Sequence, residues 1–263
     1  ANSGANISFR PVYYGFTEFE VNGNLNAAMN ALNAGSDAAL ATVPNTFSRL
    51  GADIVVLIDG FSPGGNLCGL GTVPGVGFDG ELRHPVFGGV GVFVSMYMPG
   101  FPSGGGSGCD EITLAHELGH NFGLSHSRKQ PDRKGTFPWS LGHGIEGSFA
   151  TVMADPSDYP GSTEIPLFSN PQINDCSGLP CGVSRNDLEQ GADAVHSLTQ
   201  TRFQIADIGS SNVLGTASLS GDSNNAILFG GASKSSDVNR FVNSFASQDS
   251  IDVRVTLAIP SEQ

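Results

Sequence analysis

The apolar and polar positions divide the chain into a front part that reads strand, helix, strand, and a longer irregular stretch behind it. "NISFRPVYYGF" (6–16) alternates and is rich in aromatic and β-branched residues, which predicts a strand. "NLNAAMNALNAGSDAALATVPNTFSRLG" (24–51) then carries apolar residues at helical spacing, interrupted around Gly35 and Pro44. "ADIVVLI" (52–58) is a short continuous apolar run, the pattern of a strand buried on both faces. This alternation predicts an α/β sheet. Residues 60–89 form a glycine-rich loop with room for one edge strand, and "VGVFVSMY" (90–97) supplies a further strand.

At Asp110 the period changes. "DEITLAHELGHNFG" opens with acids suited to a helix N-terminus and spaces Ile112, Leu114, Ala115 and Leu118 as a helix does, with Gly123 as its stop. Residues 127–182 have little regular pattern. "SRNDLEQGADAVHSLTQTRFQIADI" (184–208) reads as a last helix, capped at Ser184 or Asn186, with Leu188, Ala192, Val195, Leu198 and Ile205 near one face. Residues 210–263 are rich in Ser, Asn and Gly around the β-like runs "NAILFGG", "RFVNSF" and "IDVRVTLAI". The expected organisation is therefore a main domain over residues 1–209 and a small β-rich appendage over 210–263, ending just after a strand.

Composition narrows the function classes. A formal net charge of −13, from 12 Lys and Arg against 25 Asp and Glu, argues against a nucleic-acid partner, whose phosphates require a basic footprint. No apolar run reaches the roughly 18 residues of a membrane-spanning helix. Thirty-six glycines, 15 prolines and only 14% charged residues describe a turn-rich surface of the exported kind. The opening "ANSGANISF" lacks the basic start and apolar stretch of a signal peptide, so the expectation is that any export signal or prosegment lies outside this chain. Cys68, Cys109, Cys176 and Cys181 allow three pairings. The short "CSGLPC" loop favours Cys176 with Cys181, which leaves Cys68 with Cys109; a thiol zinc site is the competing reading, without the repeated Cys-x-x-Cys spacing that would specify it. Disulfides imply an oxidising, extracellular compartment.

The chemistry concentrates in "TLAHELGHNFGLSH" (113–126). On a helix, His116 and His120 project from one face a turn apart and can share one ion. A reversal at Gly123 lets His126 approach from outside the helix. Three neutral imidazoles leave a zinc ion its double charge and an open position for water, whose pKa then falls toward about 7. Glu117 is placed to take that water's proton and pass it to a leaving amine. A bare His-Glu-x-x-His arises by chance fairly often, but three His, one Glu and one Gly at fixed offsets do so in on the order of 1 in 100,000 chains of this size.

His116-Glu117-x-x-His120-x-x-Gly123-x-x-His126 resembles the zinc signature of the metzincin metallopeptidases. The resemblance implies a zincin α/β (α+β) fold: a twisted mixed sheet above the zinc helix, a cleft, and an irregular lower half ending in the last helix. It also implies a Met-turn, for which "ATVMADP" offers Met153, 27 residues after His126. "CDEITLAHELGHNFGLSH", "CSGLPCG" and the last helix are similar to the reprolysin-like bacterial metallopeptidases, including the peptidyl-Asp metalloendopeptidases, across residues 1–208. That group usually carries Asp after the third histidine, where this chain has Ser127, as matrixins do, and no Tyr directly follows the Met-turn. Metzincins generally begin with a strand and a long helix that have no counterpart before "NISFRPVYY", and no cysteine-switch motif is visible; a separate N-terminal fragment or propeptide is the matching expectation. By the same resemblance, an edge strand within residues 80–95 would bind extended substrate.

The expected function is a secreted zinc endopeptidase acting on proteins or peptides, with Glu117 as general base. The alternative is a non-catalytic, zinc-containing surface-binding protein working through its β appendage; zinc-dependent hydrolysis of a non-peptide amide is a third class that the ligand chemistry also permits. Arg128, Lys129, Arg133 and Lys134 cluster in "SRKQPDRKG" just after His126 and are candidates to favour an acidic side chain beside the scissile bond, against the plainer reading of a solvated loop balanced by acids such as Asp132. His84 and His143 fall in loops, His196 falls in the last helix, and Trp139, the sole Trp, suits either packing or a pocket wall. The acidic loop "GFDGE" could approach calcium, but one Asp and one Glu fall far short of six to eight oxygens.

Overall fold

The computed structural model describes residues 3–21, 24–59, 67–82, 91–96, 111–130, 134–208 and 251–260. The chain divides into two compact units, one of Ala1–Asn6, Thr72–His84 and Leu118–Phe203, the other of Ile7–Gly71, Pro85–Glu117 and Gln204–Gln263.

The second unit is built on a sheet. β1 (Ile7–Thr17) leads to α1 (Leu25–Ala34), which buries Leu25, Ala28, Met29 and Leu32, positions that recur on one helical face. The Asn24 side chain caps α1 by accepting from the Ala27 N–H at 3.1 Å. Gly35 ends it at φ 56°, a left-handed turn that costs a Cβ-bearing residue energy. α2 (Val43–Leu50) starts with Pro44 in its first turn, so the predicted interruption falls at Gly35 and Pro44. β2 (Ile54–Asp59) follows, and Ile54 to Ile58 are at most 3% exposed, as the continuous apolar run requires.

β3 (Gly69–Gly71) and β4 (Gly91–Met96) complete the front of the sheet, whose order, with β8 (Ile251–Pro260), is β1-β8-β2-β4-β3. β4 runs parallel to β2, and β3 runs antiparallel to β4 at the margin. Most of the span in which an edge strand is expected, residues 83–90, lies outside the described residues; among the described ones β4 lies inside the sheet and the antiparallel edge is Gly69–Gly71. A three-residue strand with glycine at both ends lacks the β-branched signal by which strands are recognised.

β8 (Ile251–Pro260) pairs in parallel with β1, from Ile7 with Ile251 to Thr17 with Pro260, and with β2, from Ile54 with Val255 to Leu57 with Ala258. "IDVRVTLAI" is thus an interior strand of the main sheet. "NAILFGG" and "RFVNSF" lie outside the described residues.

The first unit is mostly turns around a small sheet of β5 (Gly144–Ile145), β6 (Phe149–Ala150) and β7 (Thr163–Glu164). Fully buried Phe149 packs with Cys176 and Cys181 against Ile145, Ile165, Leu167 and Ile173. The last helix, α4 (Ala194–Ala206), is shorter than its sequence pattern suggests. Residues 184–193 are turns instead: Asp187 Oδ1 accepts from the N–H groups of Glu189 and Gln190, and Leu188 is 83% exposed. The cap is Asp193, which accepts from His196 N–H at 3.1 Å, rather than Ser184 or Asn186. The short polar side chains offered local hydrogen bonds that outcompeted helix formation.

Candidate metal centre

α3 (Glu111–Asn121) is continuous through the motif, with Leu114 and Leu118 buried on one side. Gly123 turns the chain at φ 83°, and a Cβ there would come within 2.9 Å of both Leu82 and Thr136. The reversal is fastened by backbone bonds from Leu124 N to Gly119 O, from Ser125 N to Ser140 O and from Thr136 N to Gly123 O. It carries His126 back toward the helix.

One nitrogen from each of His116, His120 and His126 lies within 4.8 Å of the others, a group that could hold a metal ion. His120 Nδ1 lies 2.9 Å from the Leu124 carbonyl, which only accepts, so Nδ1 carries the hydrogen and Nε2 presents a lone pair. That Nε2 is 3.2 Å from His126 Nε2. Two imidazoles bound tetrahedrally at about 2.0–2.1 Å from zinc would stand roughly 3.3 Å apart. An all-imidazole set with one tautomer already fixed by a carbonyl fits a zinc ion.

Glu117 is only 6% exposed. Burial pushes its carboxyl up to about 8, partly opposed by the N–H of Gly71, which donates to the carboxylate. A dication at the histidines would act in the same direction as Gly71.

Met153, fully buried, lies against the helix at Gly119: a Cβ on Gly119 would sit 2.6 Å from Met153 Sδ and 3.0 Å from Phe168 Cε1. Asn121, also fully buried, donates from Nδ2 to Thr72 O at 3.2 Å. Cys176 and Cys181 form a disulfide. Cys68 is disulfide-bonded as well, while its expected partner Cys109 lies outside the described residues.

Two members of the basic cluster, Arg128 and Lys129, are drawn into the protein's own contacts. Arg128 donates to the carbonyls of Pro138 and Gly191. Lys129 pairs with Glu146, donates to the Asp158 carbonyl at 2.8 Å and lies over the Tyr159 ring. Lys134 is exposed, and Arg133 lies outside the described residues. His84 is also outside them. His143 packs edge-on to Phe149, and burial lowers its pKa below the ordinary 6.5. Trp139 stacks on Phe137 at 5.0 Å, with His196 on its other contact at 6.5 Å.

Sequence reasoning missed Gly69, Gly71, Asn121 and Phe168. The two glycines stood in a stretch so rich in glycine that nothing set them apart; Asn121 and Phe168 looked like ordinary helix and loop residues.

Residues 21–187 match the family described as metallo-peptidase family M12B, reprolysin-like. The chain is 34% identical over 183 residues to a peptidyl-Asp metalloendopeptidase of Pseudomonas aeruginosa, an alignment covering 64% of this chain and 28% of that protein. No solved structure matches significantly. With the histidine group formed within the matched region, the chain belongs to the reprolysin-like M12B metallopeptidases.

Proposed function

We propose that this chain is the peptide-hydrolysing part of a secreted zinc endopeptidase, with His116, His120 and His126 as zinc ligands, Glu117 as general base and Met153 as the Met-turn residue beneath the site. The observation that carries the reading is the three-histidine group with a buried carboxyl one residue from its first member. Zinc, when bound, supplies a Lewis acid that polarises the scissile carbonyl and lowers the pKa of water.

The chain's own residues do the rest. Leu124 holds His120 in the tautomer that offers Nε2. Glu117 takes one proton from the attacking water as the carbon–oxygen bond forms, then gives it to the amine nitrogen as the carbon–nitrogen bond breaks, ending in its starting state. A binding protein that used the histidines only as a staple would leave this buried carboxyl without a task.

The relative's name supports a preference for aspartate beside the cleaved bond. In this reading the basic loop of Arg128, Lys129, Arg133 and Lys134 contributes the complementary charge, and exposed Lys134 is the better placed of its described members to meet solvent-borne substrate. A screened surface pair of this kind contributes about 1 kcal/mol, a several-fold preference that weakens with salt. The zinc and the disulfides fit an extracellular location.

Incubating the zinc-loaded chain with a mixed peptide library and reading products by mass spectrometry tests the proposal. Hydrolysis should stop with chelator, and Glu117→Gln should keep its zinc while losing at least about 100-fold in rate. Equal turnover by wild type and variant at matched metal content would sink the assignment of Glu117. Cleavage without enrichment of Asp would remove the specificity and leave the hydrolase.

A further inference from the structure

Gly69 is not a glycine of conformation. Its φ is not positive, so the backbone at this position is open to any residue. What excludes a side chain is Glu117: a Cβ on Gly69 would lie 2.4 Å from Glu117 Oε1, 2.5 Å from Cγ and 2.6 Å from Cδ. The base carboxyl therefore occupies the space that every residue except glycine would fill. Two positions along the same strand, Gly71 donates its N–H to that carboxylate. Glu117 is thus pressed on one side by a bare backbone and pinned by an amide from the same three-residue strand.

The strand is in turn held to the helix beyond its end. Asn121, one turn after Glu117 on α3, donates from Nδ2 to the Thr72 carbonyl at 3.2 Å, and Thr72 directly follows Gly71. The amide bond and the Asn121 tether leave β3 little freedom to slide along α3. A general base must stand about 2.6–3.2 Å from the proton it takes, and an error of about 1 Å in such a placement can cost about 100-fold.

We propose that β3, through the missing side chain of Gly69 and the N–H of Gly71, is the element that positions the Glu117 carboxylate for proton transfer. The claim rests on Glu117 being the base. Gly69 and Gly71 are positioning residues: the first leaves the space that the carboxyl occupies, and the second donates an N–H to it.

Four zinc-loaded proteins test it: wild type, Gly69→Ala, Glu117→Asp and the double variant. In Gly69→Ala the added methyl displaces the carboxyl, so kcat should fall at least about tenfold with KM within about twofold and zinc content unchanged. Glu117→Asp withdraws the carboxyl by one methylene, so its penalty should be smaller in the Gly69→Ala background than in wild type; a merely structural role predicts additive losses. A second measurement does not depend on turnover or on Gly69→Ala folding: in the metal-free protein, amide exchange at Gly71 should quicken by about tenfold or more in Glu117→Ala, while β2 amides stay protected. Wild-type kcat in Gly69→Ala, strict additivity, or unchanged Gly71 exchange would each overturn the proposal. A wild type that holds zinc and hydrolyses no peptide removes the base reading first, and the positioning role with it; a hydrolysing wild type with an indifferent Gly69→Ala removes the positioning role alone.

Discussion

At Gly119 the helix carrying the histidines has no side chain at the point where Met153 and Phe168 press against it. Two effects compete if an alanine is placed there. Alanine is the better helix former by about 1 kcal/mol. Its Cβ, however, would meet Met153 Sδ at 2.6 Å and Phe168 at 3.0 Å, and overpacking a closed interior costs about 1–3 kcal/mol. Met153 is fully buried and has little room to retreat, so the second effect should win. Gly119→Ala is expected to lose about 1–2 kcal/mol of unfolding free energy in urea and to weaken zinc binding; a variant as stable as wild type would mean that Met153 moves freely. The histidine group was legible because residues able to share one ion recur at fixed offsets, two of them a helical turn apart and the third beyond the turn at Gly123. Gly69, Gly71 and Gly119 were not, because what they do is leave space, and the neighbours that need the space come from distant positions.

Elements were legible to the extent that their signals are local. α1, α2, β2 and α3 each carry a periodicity, a cap or a stop that needs no partner, and each lies where its pattern places it. The last helix fails this test at its start: residues 184–193 keep a helical spacing of apolar positions, yet Asp187 and Asp193 satisfy local N–H groups and hold turns instead. Arg128 reinforces that choice by donating to the Gly191 carbonyl from the loop after His126, which is also why its charge is less available to a substrate. The Cys176–Cys181 link belongs to the same irregular half, where little regular pairing holds the chain. Both cysteines are fully buried beside Phe149. Closing so short a loop restrains the unfolded chain by about 2 kcal/mol. Replacing both cysteines with alanine should cost about that much in chemical unfolding without changing zinc content, since neither lies on the stretch that carries the histidines. A loss of zinc at native stability would show instead that the link shapes the metal site.

At the scale of the whole chain the decisive feature is β8, which joins the sequence's far end to its beginning. The composition switches to Ser, Asn and Gly after residue 209, and composition reports what a segment is made of, not where its strands pair. The pairing itself spans more than 240 positions, from Ile7 with Ile251 to Thr17 with Pro260, and no local pattern encodes it. The two arrangements make opposite predictions for a chain ending at Ile208. If residues 210–263 were an appendage, the shortened chain would fold and hold zinc as before. With β8 between β1 and β2, truncation leaves both strands without that partner, including the side of β2 where Ile54–Leu57 pair with Val255–Ala258. Roughly ten or more interstrand hydrogen bonds at about 1 kcal/mol each would be lost, which is on the order of a domain's entire stability of about 5–15 kcal/mol. The shortened chain is therefore expected to be aggregated or to lack cooperative unfolding, with its near-ultraviolet circular dichroism flattened. Adding a peptide of residues 251–260 in trans should restore part of the signal, since the slot it fills already has a partner strand on each side. A truncated chain that melts at the wild-type temperature would show that β8 is dispensable to the sheet.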